Sequence, residues 1–570
     1  MDAGNFTDYI RSKTLYDFHK NNPEIREQNN EKSNLIHLKR TVGAQDLYFQ
    51  HKLIASCCPC VPQSYSYPDA ALIALEDLLY YGAAQNWGPT RCSIHNYMWF
   101  HTITSAYSWI RPTSKITGIR DNWDWSSHYP LGEEGQFIWM NAVLIYVMSS
   151  FIPGYDTSIL ELNERTHLSI SVEEQLLRRA NVKSVGHWNT WETAWRTWYN
   201  NRSNDPVYAY YKTVNNVYAC ESDVGSNLTE QFYVPKNDDL PNKEKVLDPS
   251  ETIDPALWPE PRKWTPLCLN GIKKTYLTYR WNEVVSSCLN SADEIAADDV
   301  GTSYFPSNLA RDSEISELVL AHGSLTDAQK VSAEFWAGGP FTASPPGMLI
   351  WFWKEFMITQ NIPRTCNFDA FFYSGFDLAQ HIFETSRVVW GLKKKYMQAR
   401  PIQDIRRTYR LQTLPHYRKN ADNKYEIQGE AWVPYQESTF VTPPFADFPS
   451  GHSTYSQSFA LVMTDWFGAR IPESQPRELN DLELLSPTFT DPESFKYGQF
   501  IFRQGKSRIQ PTIVPAQDVE LRWATWQEMA NSAGISRKYG GIHATSAHTG
   551  GQAVAQTLHL RIRNKSGLTV

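Results

Sequence analysis

Three short motifs in the C-terminal half of the chain carry residues that could together hold an oxyanion. They are Lys393-x6-Arg400-Pro401, Pro449-Ser450-Gly451-His452 and Ser536-Arg537-x3-Gly541-x-His543. Lys and Arg bind oxyanions through charge-assisted hydrogen bonds, and free N–H groups at a helix start bind them as well. Each motif alone is most simply a pair of solvated cations, a helix cap or a glycine loop, but three in this order favour one anion site.

The first motif is predicted to place both of its cations on one helix. A step of seven residues is almost two helical turns, so Lys393 and Arg400 would project from the same face. Pro401 would end that helix near Arg400. Trp390 lies one turn before Lys393 on the same face.

The second and third motifs are predicted to form a helix start and a tight turn. Ser450 precedes an apolar-periodic stretch, which is typical of a helix N-cap, and Gly451 would let an anion approach the backbone. His452 would stand at the edge of such a pocket, where a histidine suits proton transfer. In the third motif the glycine pair at 540–541 allows a turn that could bring His543 back toward Arg537.

The sequence predicts that helices position these motifs and that the protein is all-α. Apolar residues recur at helical spacing from Tyr67 onward, and alternating strand patterns are scarce. Proline-free helices are predicted at 347–361, 369–399 and 453–469. We expect two helical bundles joined by long loops, with the active site in the C-terminal bundle. The predicted parts are an irregular N-terminal arm (1–66), a first bundle (67–233), a Pro- and Asp-rich extended connector (234–266) and a second bundle (267–570).

Composition argues against several classes of partner. The net charge of −7 does not favour nucleic acid or anionic membranes. The apolar run 137–153 is shorter than a membrane span and is interrupted by Asn141, so it is predicted to be a buried helix. The 21 Trp residues predict a thick helical core. The first residues show no apolar signal-peptide core, which slightly favours an intracellular location.

The eight cysteines are expected to be free thiols. Their spacing is not that of a disulfide framework, and the Cys57–Cys60 cluster lacks a second ligand pair at the distance that a zinc finger needs. The sequence leaves the role of that cluster and of residues 1–66 open. It is compatible with a homo-oligomer.

Taken together, the three motifs resemble those of the vanadium-dependent haloperoxidases, within the phosphatidic-acid-phosphatase-type superfamily. Two further segments are similar to the haloperoxidase branch. They are Glu334–Ala337 with Ser344–Gly347, just upstream of the motif helices, and 254–278, which resembles the family's inter-bundle connector. The resemblance runs from about residue 84 to about residue 560, so that the N-terminal arm falls outside it.

The resemblance implies a vanadate cofactor and the oxidation of a halide by hydrogen peroxide to a hypohalous acid-type halogenating species, which could then act on an organic substrate. The positions that hold the vanadate oxygens are matched by Lys393, Arg400, Ser450, Gly451 and Arg537. His543 matches the residue bonded to vanadium. His452 matches the acid–base histidine, and Lys393 is also expected to act in catalysis by polarising the peroxide.

Trp390 and Phe445 match the positions that line the halide pocket of the family. Chloride-oxidising members commonly have Phe at the second of these positions, whereas several bromoperoxidases have His. The resemblance therefore predicts bromide oxidation and allows chloride oxidation.

The sequence departs from the family pattern at three places. Gly338 and Gly339 stand where members often have an Asp that braces a site arginine. Asp447 lies unusually close to the Pro449–His452 motif, where it could brace an arginine or, pointing inward, repel a halide. Ala547 stands where phosphatase-type members have an Asp that orients the histidine.

Two other functions stay open. One is an acid phosphatase that uses the same oxyanion pocket, with His543 as nucleophile and His452 protonating the leaving group. The other is a non-catalytic helical scaffold protein that keeps the fold. Ala547, Trp390 and Phe445 argue against the phosphatase, and the intact motif positions argue against the scaffold.

Overall fold

Helices dominate the part of the chain that the structure describes. The structure is a computed structural model, and it describes residues 67–110, 133–152, 186–213, 262–360 and 368–566, with gaps at 266–267, 270–271, 274–275, 473–483 and 486–494. Within these ranges the strands are few and short, and they form only two- and three-stranded antiparallel sheets. The predicted all-α fold class is therefore confirmed.

The N-terminal half contributes the helices α1 (Tyr67–Ala84), α2 (Pro89–Ile110), α3 (Glu133–Phe151), α4 (Gly186–Ser203) and α5 (Pro206–Thr213). Helix α3 contains most of the apolar run that is predicted to be a buried helix, and its Met140, Val143 and Leu144 are buried. No helix in the described ranges has the length and hydropathy that crossing a membrane requires.

The C-terminal half contributes a larger set of helices. They are α6 (Ser291–Tyr304), α7 (Asn308–His322), α8 (Asp327–Phe335), α9 (Ser344–Thr359), α10 (Phe368–Tyr396), α11 (Pro401–Thr408), α12 (Gly451–Phe467), α13 (Trp526–Tyr539) and α14 (Thr545–Ser566). Three of them, α9, α10 and α12, coincide within a few residues with the helices predicted at 347–361, 369–399 and 453–469. Short 3-10 helices lie at Trp281–Glu283 and Gly429–Ala431.

The strands pair locally. They are β1 (Cys268–Leu269), β2 (Ile272–Lys273), β3 (Thr413–Pro415), β4 (Glu426–Gln428), β5 (Phe495–Lys496), β6 (Gln499–Phe502) and β7 (Val519–Arg522). Strand β1 pairs with β2 and β3 with β4, while β5, β6 and β7 form one sheet with Phe500 opposite Leu521. These strands do not carry the motifs.

A tryptophan-rich core joins the helices of both halves. Helix α10 packs along α2, where Tyr97 stacks on Phe383 with ring centroids 4.9 Å apart. Gly375 permits this approach, because a Cβ there would lie 2.3 Å from the ring of Phe100. Among the described residues the largest fully buried side chains are mostly indoles, including Trp99, Trp191, Trp281, Trp351, Trp353, Trp432 and Trp526. The expectation of a thick helical core is confirmed.

The predicted arm 1–66, the Cys57–Cys60 cluster and most of the connector 234–266 lie outside the described residues. The domain boundaries therefore stay predictions. Two cysteines of the described part, Cys92 and Cys288, are buried.

The predicted continuous helix through Lys393 and Arg400 is wrong. Helix α10 ends at Tyr396, Met397 has a φ of +47°, and Arg400 is the N-cap of α11, with Pro401 as its first residue. The intervening backbone is held by the end of the connector: Trp264 N–H donates to the Met397 carbonyl (2.7 Å), and Ala399 N–H donates to the Arg262 carbonyl (2.9 Å). Because proline disfavours helix at the residue before it and favours the first helical position, the chain restarts at Pro401 instead of ending there.

The other two motifs form the elements that were predicted. Ser450 is the N-cap of α12, and its Oγ accepts a hydrogen bond from Ser453 N–H (3.4 Å). Helix α13 ends at Tyr539, and Gly541, with a φ of +71°, turns the chain toward His543 and α14. Helix α12 packs against α10, α13 and α14, which brings the three motifs to one place.

Candidate active site

The structure brings the cations and histidines of the three motifs into one cluster, which we call the basic cluster: Lys393, Arg400, His452, Arg537 and His543. Four of its side chains are buried to 3% exposure or less, and only His452 keeps an intermediate exposure. The residues also act on one another electrostatically: Arg537, His543 and Arg400 all lower the pKa of His452. The motifs therefore meet as one site, and the roles of the individual residues stay predictions.

Lys393 holds the segment that precedes α12. Its Nζ donates hydrogen bonds to the carbonyl oxygens of Ala446 (2.8 Å), Asp447 (3.1 Å) and Pro449 (2.5 Å). An ammonium has three N–H groups, so these carbonyls account for all of them. Burial and then the charge of Arg400 hold the pKa of Lys393 well below its usual range. An anion would favour the charged form and would have to share one of these N–H groups.

Arg400 is only partly satisfied by the protein. Its Nε donates to the Phe445 carbonyl (2.6 Å), and its Nη1 donates to the Ile542 carbonyl (2.8 Å) and lies 3.1 Å from His543 Nε2. Its Nη2 is buried and has no hydrogen-bond partner among the described residues. Burial lowers the pKa of Arg400 to about 10, which leaves the guanidinium charged at neutral pH.

Arg537, from α13, shows the same pattern. Its Nη2 donates to the Ala333 carbonyl and its Nε to Ser536 Oγ (3.0 Å), whereas Nη1 is buried without a partner in the described part of the chain. Burial lowers the pKa of Arg537 to about 9. A buried donor without an acceptor costs about 1–3 kcal/mol. Two such guanidinium donors in one cluster indicate an acceptor that the described residues do not provide.

His543 presents one ring nitrogen to the cluster. Its Nδ1 donates a hydrogen bond to the carboxylate Oδ1 of Asp447. Because an ionised carboxylate only accepts, the proton is assigned to Nδ1, and Nε2 keeps its lone pair. Burial, followed by the charge of Arg400, lowers the pKa of His543 to about 3, so the ring is neutral at neutral pH. A neutral imidazole nitrogen is the form that binds a metal.

Asp447 is the carboxylate of the site. Its Oδ2 accepts from Arg311 Nη1 (2.7 Å), and Arg311 also donates to Asp404 Oδ2 (2.9 Å) and to the Ala399 carbonyl (2.8 Å). Burial raises the pKa of Asp447, but Arg311 and His543 outweigh burial and hold that pKa below its usual range. Of the two expectations for Asp447, the structure realises the arginine brace, although the arginine is Arg311 and not one of the motifs.

His452, the second residue of α12, is oriented by the end of α8. Its Nε2 lies 2.8 Å from the Trp336 carbonyl, which can only accept, so Nε2 carries the proton and Nδ1 is the basic atom. Burial and the charge of Arg537 lower the pKa of His452 well below its usual range. A neutral histidine at this point can accept a proton.

The segment around Trp336 forms a wall of the basic cluster. The carbonyls of Ala333 and Trp336 hold Arg537 and His452, and Trp336 Nε1 itself donates to Ser532 Oγ (3.0 Å). Gly338, with a φ of +52°, then turns the chain toward α9. Where members of the resembling family often brace a site arginine with an Asp, this chain holds Arg537 by a backbone carbonyl.

Trp390 and Phe445 lie side by side next to the cations. Their ring centroids are 5.0 Å apart, and Trp390 is fixed by a hydrogen bond from Nε1 to the Leu277 carbonyl (3.0 Å). Lys393 Nζ and Arg400 Cζ lie 5.1 Å and 4.9 Å from the centroid of Phe445. An aromatic wall beside buried positive charge suits a small, weakly hydrated anion.

A vanadate ion fits this set of donors. The cluster offers two guanidinium nitrogens that have no partner among the described residues, a neutral imidazole nitrogen, and the first turn of α12, which begins at Gly451 after the N-cap Ser450 and whose N–H groups lack helical acceptors. A Cβ built on Gly451 meets no heavy atom closer than Tyr455 at 3.5 Å, so the protein leaves room beside that backbone. The carboxylate that contacts the cluster in the described part of the chain, Asp447, is already paired with Arg311.

Reasoning from the sequence missed Arg311 and Asp404. Arg311 lies within α7, far upstream of all three motifs, and its neighbours form no recognisable pattern. A buried arginine is usually paired, but burial is visible only in the structure. The one signal in the sequence was the unusual carboxylate, Asp447, beside the second motif.

Comparisons with known proteins identify a similar domain and a similar fold. Residues 375–562 match the family model described as the VCPO second helical-bundle domain, a range that contains all three motifs. No curated protein matches the chain significantly by sequence.

Solved structures resemble the fold over most of the chain. A holo-type bacterial vanadium-dependent chloroperoxidase superposes with a TM-score of 0.54 at 13% identity, covering 84% of this chain and 94% of that one. The apo-type chloroperoxidase gives 0.53 at 13% identity over 84% and 96%. A bacterial vanadium-dependent iodoperoxidase gives 0.53 at 16% identity over 89% and 98%. Identities this low establish the fold alone. The family resemblance of the sequence is thus confirmed: residues 375–562 match the model of the VCPO second helical-bundle domain, and the chain has the fold of the solved vanadium-dependent haloperoxidases.

Proposed function

We propose that this protein is a vanadate-dependent haloperoxidase that oxidises bromide, and also chloride, with hydrogen peroxide. The observation that carries the proposal is a pair of buried guanidinium nitrogens, Arg400 Nη2 and Arg537 Nη1, beside a neutral His543. Neither nitrogen finds a hydrogen-bond acceptor within the described part of the chain. An oxyanion would supply that acceptor, and the lone pair of His543 Nε2 suits an oxyanion whose central atom can take a nitrogen ligand.

In this proposal the chain holds the ion and orients the reactants. Arg400, Arg537 and the start of α12 at Ser450 and Gly451 would hold the vanadate oxygens, and His543 would bind the metal. When bound, vanadate supplies a Lewis acid that activates hydrogen peroxide without changing its own oxidation state. Lys393 adds positive charge where negative charge develops, once it releases a carbonyl of the Ala446–Pro449 segment.

His452 is assigned the proton transfer. The neutral ring exposes a basic Nδ1, because Nε2 is bound to the Trp336 carbonyl. The low pKa of His452 in the absence of an anion would rise when negative charge enters the cluster, since Arg537 and Arg400 contribute to its depression. A histidine tuned in this way can take a proton from peroxide and return it to the hypohalite.

Trp390 and Phe445 are assigned to the halide. Both rings are buried, and Phe445 packs under Lys393 and Arg400. A halide in this place would be attracted by the cations and desolvated by the rings. Bromide is easier to oxidise than chloride, so it is the expected substrate, and the Phe at 445 is the feature that favours chloride as well.

The test is a peroxide-dependent halogenation assay on metal-free protein, with and without added vanadate, using bromide, chloride and iodide in parallel. We expect activity only with vanadate, and we expect His543→Ala to abolish it by preventing stable vanadate binding. His416→Ala is the matched control, because His416 is also a buried histidine, but it contacts Val433 away from the cluster. Tight vanadate binding by His543→Ala, or halogenation that does not need vanadate, would overturn the assignment.

A phosphomonoesterase activity of the same cluster is the second candidate, and the contact between Asp447 and His543 favours it. The sequence argued against a phosphatase because Ala547 replaces the orienting Asp, but Asp447 provides a carboxylate to the same ring. His543 Nε2 would then attack phosphorus and His452 would protonate the leaving group. Hydrolysis of an aryl phosphate that vanadate inhibits, together with no halogenation by the vanadate-loaded protein, would favour this candidate.

A further inference from the structure

We propose that Asp447 is a positioning residue that fixes the tautomer and orientation of His543, and that Arg311 locks Asp447 in place. The proposal rests on the function proposed above for the identity of the anion, but the hydrogen bonds that carry it do not depend on that identity.

The two oxygens of Asp447 are committed to different partners. Oδ1 accepts from His543 Nδ1 and Oδ2 accepts from Arg311 Nη1 at 2.7 Å. Because the arginine holds one oxygen, the carboxylate cannot rotate away from the histidine. The carboxylate is fully buried, so water does not compete for either contact.

Arg311 extends this arrangement to all three motifs. Its Nη2 donates to the carbonyl of Ala399, the residue before Arg400, and its Nε donates to Asp404 on α11. Asp447 precedes Ser450 by three residues, and its other partner is His543. One buried arginine and one buried carboxylate therefore connect the first motif, the second motif and the histidine of the third.

The position that could otherwise orient His543 cannot do so. Ala547 is fully buried and has no polar side chain, and its carbonyl accepts from Ser450 N–H at 2.9 Å. The orienting carboxylate therefore comes from the segment before α12 instead of from α14. Burying the negative charge of Asp447 costs free energy, and the ion pair with Arg311 offsets that cost. This pairing explains why Arg311, which belongs to none of the three motifs, is buried next to the site.

An Asn at 447 would disturb the tautomer with almost no change of shape. Two donors, His543 Nδ1–H and Arg311 Nη1–H, would compete for the single amide oxygen. If Arg311 takes it, the amide NH₂ faces Nδ1, the ring proton moves to Nε2, and the nitrogen that faces the cluster loses its lone pair. Loss of such an orienting contact typically weakens metal binding about 10–100-fold.

The first measurement is the dissociation constant of vanadate, by equilibrium dialysis, for the full chain and for Asp447→Asn. We expect Asp447→Asn to weaken binding about 10–100-fold. Asp377→Asn is the matched control, because Asp377 is also a fully buried carboxylate between a histidine, His381, and an arginine, Arg563, but at a distant place in the fold. Equal vanadate affinity for the wild type and Asp447→Asn would overturn the proposal, as would an equal loss in both variants.

The second measurement needs no anion and no variant at 447. In ¹⁵N-histidine-labelled protein, the ring signals of His543, identified by their absence in His543→Gln, should be those of the Nδ1–H tautomer. An Nε2–H tautomer would contradict the proposal even if Asp447→Asn fails to fold. Failure of the wild type to bind vanadate, together with an Nδ1–H tautomer, would instead reject the proposed function and leave the positioning role standing.

Discussion

Replacing Gly541 by Ala should destabilise the fold and weaken the site together. Gly541 has a φ of +71°, and a Cβ there would lie 2.6 Å from the Cε1 and Nε2 atoms of His322 and 2.9 Å from Pro434 Cβ. His322 is fully buried and packs against Trp432, so its ring has little room to move. The left-handed conformation costs a non-glycine residue about 1–2 kcal/mol. Overpacking typically adds about 1–3 kcal/mol. The expected loss of unfolding free energy is therefore about 2–5 kcal/mol.

The same change should reach the basic cluster, because the two residues after Gly541 both take part in it. The Ile542 carbonyl accepts from Arg400 Nη1, and His543 comes next in the chain. A backbone shift that relieves the contact with His322 must move one or both. We therefore expect vanadate affinity to fall along with stability, whereas a substitution that only destabilises a distant part of the fold should leave the affinity of the folded protein unchanged.

Gly468→Ala separates the two parts of the stability loss. Gly468 also has a positive φ, +78°, with a ψ of 168°, but a Cβ there would meet no heavy atom within 4 Å. That backbone conformation is occupied almost exclusively by glycine, so Gly468→Ala carries a large backbone strain but no steric contact. Urea denaturation of both variants gives the comparison, and in a His322→Ala background the loss caused by Gly541→Ala should shrink. If Gly541→Ala costs no more than Gly468→Ala and keeps its vanadate affinity, the contact with His322 does not constrain the turn and the reasoning is refuted.

Two further predictions concern acid stability and the unpartnered guanidinium. Burial, and then the charge of His416, lowers the pKa of His322 to about 3 in the folded protein. Between pH 6.5 and pH 3, His322 is therefore protonated in the unfolded chain but neutral in the folded protein. The contribution of His322 to stability is thus fully present above pH 6.5 and falls by about 1.4 kcal/mol per pH unit as the pH drops toward 3. His322→Gln should flatten the urea midpoint against pH in this window, and an unchanged slope would contradict the assignment. Arg537→Lys keeps the charge but replaces the planar guanidinium, in which Nη2 binds the Ala333 carbonyl while Nη1 stays unpartnered among the described residues, by one compact ammonium. Vanadate affinity should therefore fall roughly 10–100-fold, as for the loss of one charge-assisted hydrogen bond. Dialysis that shows less than a twofold change would mean that Arg537 Nη1 does not face the anion.

The helical framework could be predicted because its signals are local. The cap at Ser450 and the apolar spacing after it indicate α12 to within two residues of its observed ends, Gly451 and Phe467. The same kind of signal fails at the end of α10. There the periodic pattern continues to Ala399, but the backbone leaves the helix after Tyr396, where Trp264 N–H donates to the Met397 carbonyl and Ala399 N–H donates to the Arg262 carbonyl. Hydrogen bonds to a distant segment of the chain cannot be predicted from the local sequence of the residues that form them.

The candidate site divides in the same way. The residues that would touch an anion could be named from short motifs, since their spacing is set by turns and helix starts within a few residues. The residues that hold them could not: Lys393 is saturated by the carbonyls of Ala446, Asp447 and Pro449, and Asp447 is shared between Arg311 and His543. These contacts join parts of the chain that are far apart in sequence, and each satisfies a buried charge that only the packed structure creates. Two departures from the family pattern explain each other: Asp447 is present, and Ala547 lacks a carboxylate. The fold brings the Asp447 carboxylate to His543 from the segment before α12, in place of a carboxylate from position 547 on α14.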